Sequence, residues 1–71
     1  MKKVKTTMAG NVWKILVSAG DKVEVGQEIA ILESMKMEIP VESTESGTVR
    51  AIVQEEGAFV DDGDTLIELD G

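Results

Sequence analysis

The sequence contains an internal repeat, in which the second copy follows the first at an offset of 37 residues. The glycines show it best, because six of the seven form three pairs at this offset. Each copy is too short to bury its own apolar face, so the two copies must pack on each other. We therefore predict two related units, 9–32 and 46–69, around an approximate two-fold axis. The paired glycines are Gly10 and Gly47, Gly20 and Gly57, and Gly26 and Gly63.

Short β-branched apolar runs predict strands in both units. Runs such as 29–32 and 49–53 are separated by glycine-containing turn signals, which leave no interval long enough for a stable helix. The six paired glycines are predicted to form turns. We expect residues 1–71 to form a single all-β domain, a flattened β-barrel or sandwich with about four short strands in each unit. Trp13, whose counterpart in the repeat is Arg50, is interpreted as a partly buried strand residue near the surface.

The composition argues against catalytic and metal sites. The 71 residues include no cysteine and no histidine, so the chain lacks disulfides, the commonest metal ligand and the usual proton carrier at neutral pH. No nucleophile and base form a recognisable pair. The acidic string from Asp61 to Asp64 lacks the ligand spacing of a calcium loop and is interpreted as a turn. We predict a module with no catalytic residues and no metal.

The charge is distributed unevenly between the two halves. The net charge of -7 combines +2 in residues 1–36 with -9 in residues 37–71. An acidic surface repels phosphate backbones, which argues against nucleic-acid binding. No stretch approaches the roughly 20 apolar residues of a membrane span, and no signal peptide is evident, so we expect a cytoplasmic protein. The acidic face is interpreted as a solubilising surface, with attraction to a basic partner surface as the alternative.

The two-fold arrangement requires the chain to reverse direction in the connector 33–45, which contains Lys36. Met35 and Lys36 lack the Asn-Gly signature of a two-residue hairpin, and the local pattern alone indicates one unbroken strand. The reversal is therefore inferred from the symmetry. Strand alternation would place Met35 and Met37 on the face opposite Lys36, although a tight turn weakens that rule. A tight reversal would also force unusual φ and ψ angles, which tend to mark functional sites.

The string Glu33-Ser34-Met35-Lys36-Met37, set between glycine-punctuated β repeats, resembles the biotinyl/lipoyl attachment domain family. The hallmark of its biotinyl members is a Met-Lys-Met motif centred on the modified lysine. The resemblance covers essentially the whole chain. It is strongest to free-standing members. The offset of 37 residues is constant along the repeat and leaves no room for a thumb insertion, so the chain resembles the thumbless biotin carboxyl carrier type.

The resemblance implies a carrier that is itself non-catalytic. Lys36, at a β-hairpin tip, would hold biotin covalently through an amide bond and would be a substrate of biotin protein ligase. Glu33, Met35 and Met37 would be recognised by that ligase, although a simple packing role for either methionine stays open. The expected partners are biotin carboxylase and carboxyltransferase components, between which the carrier shuttles a carboxyl group, and we expect a monomer.

Two alternatives stay open at this point. Lipoate could be attached at Lys36, although the related lipoyl sequences usually have Asp before the lysine and Ala after it, where this chain has Met35 and Met37. The second alternative is a structural or interaction domain in which the lysine is unmodified.

Overall fold

The computed structural model describes residues 2–70, which form eight β-strands and no helix. The predicted all-β fold is confirmed. No helix in this part of the chain is long and apolar enough to cross a membrane. The strands are β1 (Lys2–Lys5), β2 (Gly10–Ile15), β3 (Lys22–Val23), β4 (Glu28–Ser34), β5 (Met37–Glu42), β6 (Gly47–Ile52), β7 (Phe59–Val60) and β8 (Thr65–Asp70).

The strands form two four-stranded antiparallel sheets that share one apolar core. Sheet I has the order β1-β8-β6-β3, and sheet II has the order β5-β4-β2-β7. Burial of apolar side chains from both sheets is the main favourable contribution to folding. The core consists of Val4, Val12, Val17, Val23, Ile29, Ala30, Leu32, Val49, Val60, Leu66, Ile67 and Leu69.

The offset of 37 residues relates the two sheets strand by strand. In sheet II, Val12 lies opposite Leu32 and a β-bulge follows directly after Val12. In sheet I, Val49 lies opposite Leu69 and a bulge follows Val49 in the same way. The first four strands therefore correspond to the last four, with β1 equivalent to β5. This correspondence extends beyond the predicted units, because β1 precedes residue 9 and β5 lies inside the predicted connector.

A matched pair of buried hydroxyl groups follows the same symmetry. The Thr6 Oγ1 donates a hydrogen bond to the Met8 carbonyl oxygen at 2.9 Å and accepts one from the Met8 N–H at 3.2 Å. Ser43 makes the equivalent two bonds with Glu45 in the other half. Both hydroxyl side chains are almost fully buried. Because buried polar groups are costly when unpaired, these bonds fix the loops that leave β1 and β5.

Two of the six glycines are not turn residues, and the prediction was wrong for them. Gly10 and Gly47 begin the long strands β2 and β6. A Cβ atom at Gly10 would lie 2.9 Å from the Glu33 carbonyl oxygen, and a Cβ at Gly47 would overlap the Asp70 carbonyl oxygen. Close approach of neighbouring strands therefore explains both glycines. The other four have φ angles of 96° (Gly20), 87° (Gly26), 93° (Gly57) and 89° (Gly63), and they lie in turns.

One connection differs from all others among the described strands. The β4 and β5 strands are consecutive in the chain and pair within one sheet, whereas every other connection crosses to the opposite sheet. The β4–β5 connection is therefore the one direct hairpin between consecutive strands in residues 2–70. It contains Met35 and Lys36.

Candidate functional site

Lys36 lies at the tip of the β4–β5 hairpin. Ser34 lies opposite Met37 as the last ladder pair, so the loop consists of Met35 and Lys36 alone. Their φ angles are 52° and 65°, and positive values at both central residues are characteristic of a type I′ turn. The chain reverses at Lys36, and the unbroken strand that the local pattern indicates does not form.

This turn is unfavourable for the residues that form it. A left-handed backbone costs a residue other than glycine roughly 1–2 kcal/mol, and two such residues follow each other here. The ladder holds the conformation, because six residue pairs join β4 to β5 from Glu28 opposite Glu42 to Ser34 opposite Met37. These are the only positive φ angles outside glycine within residues 2–70. Strain that the surrounding structure imposes is typical of functional sites.

The side chains of the Met-Lys-Met motif all lie in solvent. Met35 is 92% exposed and Met37 is 63% exposed, so neither methionine fills the core. Lys36 is exposed as well, and its Nζ has no hydrogen bond or ion pair among the described residues. Because both turn residues have positive φ angles, simple strand alternation does not apply to them. The hairpin presents a free primary amine between two exposed thioether side chains.

Glu33 lies on the outer surface of sheet II, three residues before Lys36. It is exposed and lies opposite Asn11 of β2 on one side and Glu38 of β5 on the other. Asn11 in turn lies opposite Phe59. Glu33 is therefore near the hairpin tip and belongs to a row of exposed residues that crosses the sheet.

The acidic string in the last turn is held by its own hydrogen bonds. The Asp61 N–H donates to the Asp64 Oδ2 at 2.8 Å, and the Asp64 N–H donates to the Asp61 carbonyl oxygen at 3.0 Å. Among residues 2–70, no group of three His, Cys, Asp or Glu side chains is arranged to hold a metal ion. The carboxylate of Asp64 thus contributes to the turn.

Two aromatic side chains on sheet II are exposed, although no functional role was predicted for either of them. Phe59 is 66% exposed and Trp13 is 43% exposed. The repeat contains a signal that could have identified them, because their counterparts at the 37-residue offset are the charged residues Lys22 and Arg50. Because the equivalent position in the other half holds a charged residue, the backbone that the two halves share does not require an apolar side chain there.

A two-sheet β fold with an exposed lysine at a strained hairpin tip defines a class of small attachment domains. The biotin/lipoyl family model, described as biotin-requiring enzyme, matches residues 2–69. The chain belongs to this family, and the predicted family membership is confirmed.

Two curated relatives are similar over most of this chain. A biotin/lipoyl attachment protein of Bacillus subtilis is 58% identical over 66 residues, which cover 93% of this chain and 90% of the relative. A biotin carboxyl carrier protein of Streptococcus mutans is 44% identical over 62 residues, which cover 87% of this chain and 48% of that protein.

A solved structure shares the fold. The urea carboxylase of Kluyveromyces lactis superposes with a TM-score of 0.83 at 35% sequence identity. The match covers 93% of this chain but 6% of the carboxylase chain. The likeness therefore concerns one small part of a much larger protein.

The strain at Met35 predicts a stabilising substitution. Met35→Asn should raise the free energy of unfolding by about 0.5–1 kcal/mol, because asparagine tolerates the left-handed backbone better and the exposed methionine packs against little. The matched control is Met37→Asn, at a strand position without a positive φ angle, which should be neutral or slightly destabilising. Urea unfolding followed by Trp13 fluorescence measures both. A larger decrease in the free energy of unfolding in Met35→Asn than in Met37→Asn would show that the backbone at Met35 is not strained.

Proposed function

We propose that this chain is a carrier of covalently bound biotin, joined through an amide bond to the Nζ of Lys36. The observation that carries the proposal is the free amine of Lys36 at the crest of a rigid two-residue hairpin. Membership of the biotin/lipoyl family and similarity to a biotin carboxyl carrier protein support biotin as the group. The chain itself is proposed to be non-catalytic.

The surroundings of Lys36 fit the formation of an amide. Acylation removes the positive charge of the amine, and a lysine held in an ion pair would lose that interaction. The Nζ of Lys36 has no such partner among the described residues, so its acylation takes no interaction from the fold. The amine must be deprotonated before it attacks an activated carboxyl carbon, and an exposed tip leaves room for an enzyme to supply that base.

The residues of the chain position the attached group and contribute no catalytic group. Biotin, when attached, supplies a ureido ring that carries a carboxyl group between two active sites. The β4–β5 ladder keeps Lys36 at a fixed point on a rigid body, and the lysine side chain adds a flexible arm. Such a tether raises the effective concentration of its end at any site beside which the body docks. We propose a biotin carboxylase and a carboxyltransferase as the two partners.

Biotin protein ligase is proposed to recognise the hairpin itself. The ligase must bring its activated carboxyl within bonding distance of Nζ, so its surface covers the tip. Met35 and Met37 offer exposed apolar contacts there, and Glu33 offers a charge. The action of a ligase, the monomeric state and the cytoplasmic location stay predictions.

Lipoate is the alternative group at the same nitrogen. The hairpin geometry would serve either acid equally well, because both form the same amide with Lys36. Methionine on both sides of the lysine and the description of the family favour biotin.

Replacing the lysine tests the attachment site. Lys36→Arg should abolish biotinylation when the chain is produced with biotin protein ligase and excess biotin, because a guanidinium does not form the amide. Lys14→Arg, at another exposed lysine of sheet II, is the matched control and should be labelled like the wild type. Intact mass and a streptavidin blot measure the result. Labelling that persists in Lys36→Arg, or a lipoyl-sized mass increase in the wild type, would contradict the proposal.

A double substitution tests recognition by the ligase. Met35→Asp with Met37→Ala should leave the far-UV circular dichroism nearly unchanged, because both side chains are exposed, but should slow biotinylation roughly tenfold or more. Initial rates with purified ligase measure the effect. Wild-type rates in a folded double variant would show that the methionines are not recognised.

A further inference from the structure

Sheet II has an exposed apolar outer surface, here called the aromatic face, which consists of Trp13, Ile31, Pro40 and Phe59. Trp13 and Phe59 are 43% and 66% exposed, Pro40 is exposed and Ile31 is half-buried. The four residues come from all four strands of the sheet, in the order β5-β4-β2-β7. Exposed apolar residues that gather on one face of a protein can mark an interaction site.

The register shows that these residues are neighbours. Ile31 lies opposite Lys14, whose Nζ is 5.5 Å from the centre of the Trp13 ring. Trp13 lies in the bulge of β2, two residues after Asn11, and Asn11 lies opposite Phe59. Pro40 lies opposite Ile31, so the aromatic face spans the sheet from β5 to β7, with Lys14 and Asn11 between its apolar residues.

The internal symmetry shows that the fold does not require an apolar surface here. The counterparts in sheet I are exposed or half-buried at the same positions, but all four are charged. The same backbone positions therefore accept charged side chains, and the apolar residues of sheet II need another explanation. In the order Trp13, Ile31, Pro40 and Phe59, the counterparts are Arg50, Glu68, Lys3 and Lys22.

The aromatic face lies close to the hairpin and has an acidic border on that side. Glu33 lies three residues before Lys36 and is the second-last residue of β4. It lies directly opposite Glu38, and like charges in such a pair destabilise a sheet. The pair therefore does not stabilise the fold, but it would attract a partner with basic side chains at this border.

We propose that the aromatic face is the surface through which the chain docks on the biotin carboxylase that acts on its biotin. The carboxylase would contribute an apolar patch flanked by Lys or Arg side chains, since interfaces combine an apolar centre with a polar rim. Trp13 and Phe59 are the expected anchors, because exposed aromatic residues dominate binding energy at protein interfaces. This inference rests on the proposed function and names the surface that serves it.

The position of the face favours an enzyme that acts on the attached biotin over the ligase and over a second copy of this chain. The ligase reacts at Nζ itself and must cover the hairpin tip, whereas the carboxylase acts beyond the end of the lysine side chain and can contact the neighbouring sheet. A second copy of this chain carries the same net charge of -7 and the same Glu33–Glu38 pair, so two aromatic faces would repel each other at their acidic borders.

The test compares two faces of one fold. Trp13→Ala with Phe59→Ala removes the proposed anchors, and Arg50→Ala with Lys22→Ala makes the symmetry-equivalent change on sheet I. Each biotinylated protein is measured against every purified biotin carboxylase of the source organism, for affinity by biolayer interferometry and for KM as a carboxylase substrate. The aromatic variant should lose roughly tenfold or more in affinity with little change in kcat, while the control stays within about twofold.

Labelling and folding are measured on the same samples. Circular dichroism checks each variant, and Phe59→Lys, which copies the residue at the equivalent position Lys22, replaces the double variant if that one unfolds. Phe59→Lys should weaken carboxylase binding several-fold and leave the ligase rate unchanged.

Several results would overturn the docking proposal: no carboxylase binding by the wild type, no loss in the aromatic variants, or an equal loss in the control. Three further results would assign the face elsewhere and also overturn it: a defect in ligase labelling alone, a loss of carboxyltransferase activity without a loss of carboxylase binding, or a wild-type dimer that the aromatic variant loses. Failure of the wild type to be labelled at Lys36 would instead contradict the proposed function.

Discussion

The pairing of β4 with β5 is the interaction on which the candidate site depends. It holds Met35 and Lys36 in left-handed conformations that together cost roughly 2–4 kcal/mol. Leu32 and Ala30 of β4 belong to the core, and Val41 of β5 packs against it, so these residues anchor the ladder on the core. Burial at one end of the hairpin thus maintains an unfavourable turn at the other. The result is an amine held away from the protein body at a fixed position.

The repeated backbone separates structural from functional requirements. The two halves share their strand register, the β-bulges and the pairing of buried hydroxyls at Thr6 and Ser43. What the halves share is what the fold requires. Where they differ on exposed positions, as at Trp13 and Arg50, the difference cannot come from the common backbone. Such a comparison needs no relatives, because each half serves as a reference for the other.

Much of the fold could be predicted, because paired glycines and short β-branched runs report on local backbone and burial. The strand β1 was not predicted, because Val4 is its one apolar residue among three lysines and a single apolar residue gives almost no periodic signal. Gly10 and Gly47 were assigned to turns because close approach of two strands leaves no local signature. A glycine in the sequence shows that the position needs a residue without a side chain, but it does not show whether a turn or a neighbouring strand is the reason.

The position of the hairpin and the reversal of the chain were predictable from the repeat, but not from the residues that form the turn. Lys36 was identified from its motif and from the symmetry, while its immediate neighbours indicated a continuous strand. Local propensity failed there because the tertiary ladder, and not the turn residues, determines the reversal. The aromatic face was missed for a related reason, since its four residues are distant in sequence and become neighbours only through the register of sheet II.

The conformation of the hairpin in solution tests the central claim most directly. Nuclear Overhauser spectra of the isotope-labelled chain should show strong contacts between each amide proton and its own α proton at Met35 and Lys36, as positive φ angles require. They should also show cross-strand contacts between Ser34 and Met37. Sequential contacts of an extended strand through Lys36, without contacts between Ser34 and Met37, would contradict the account.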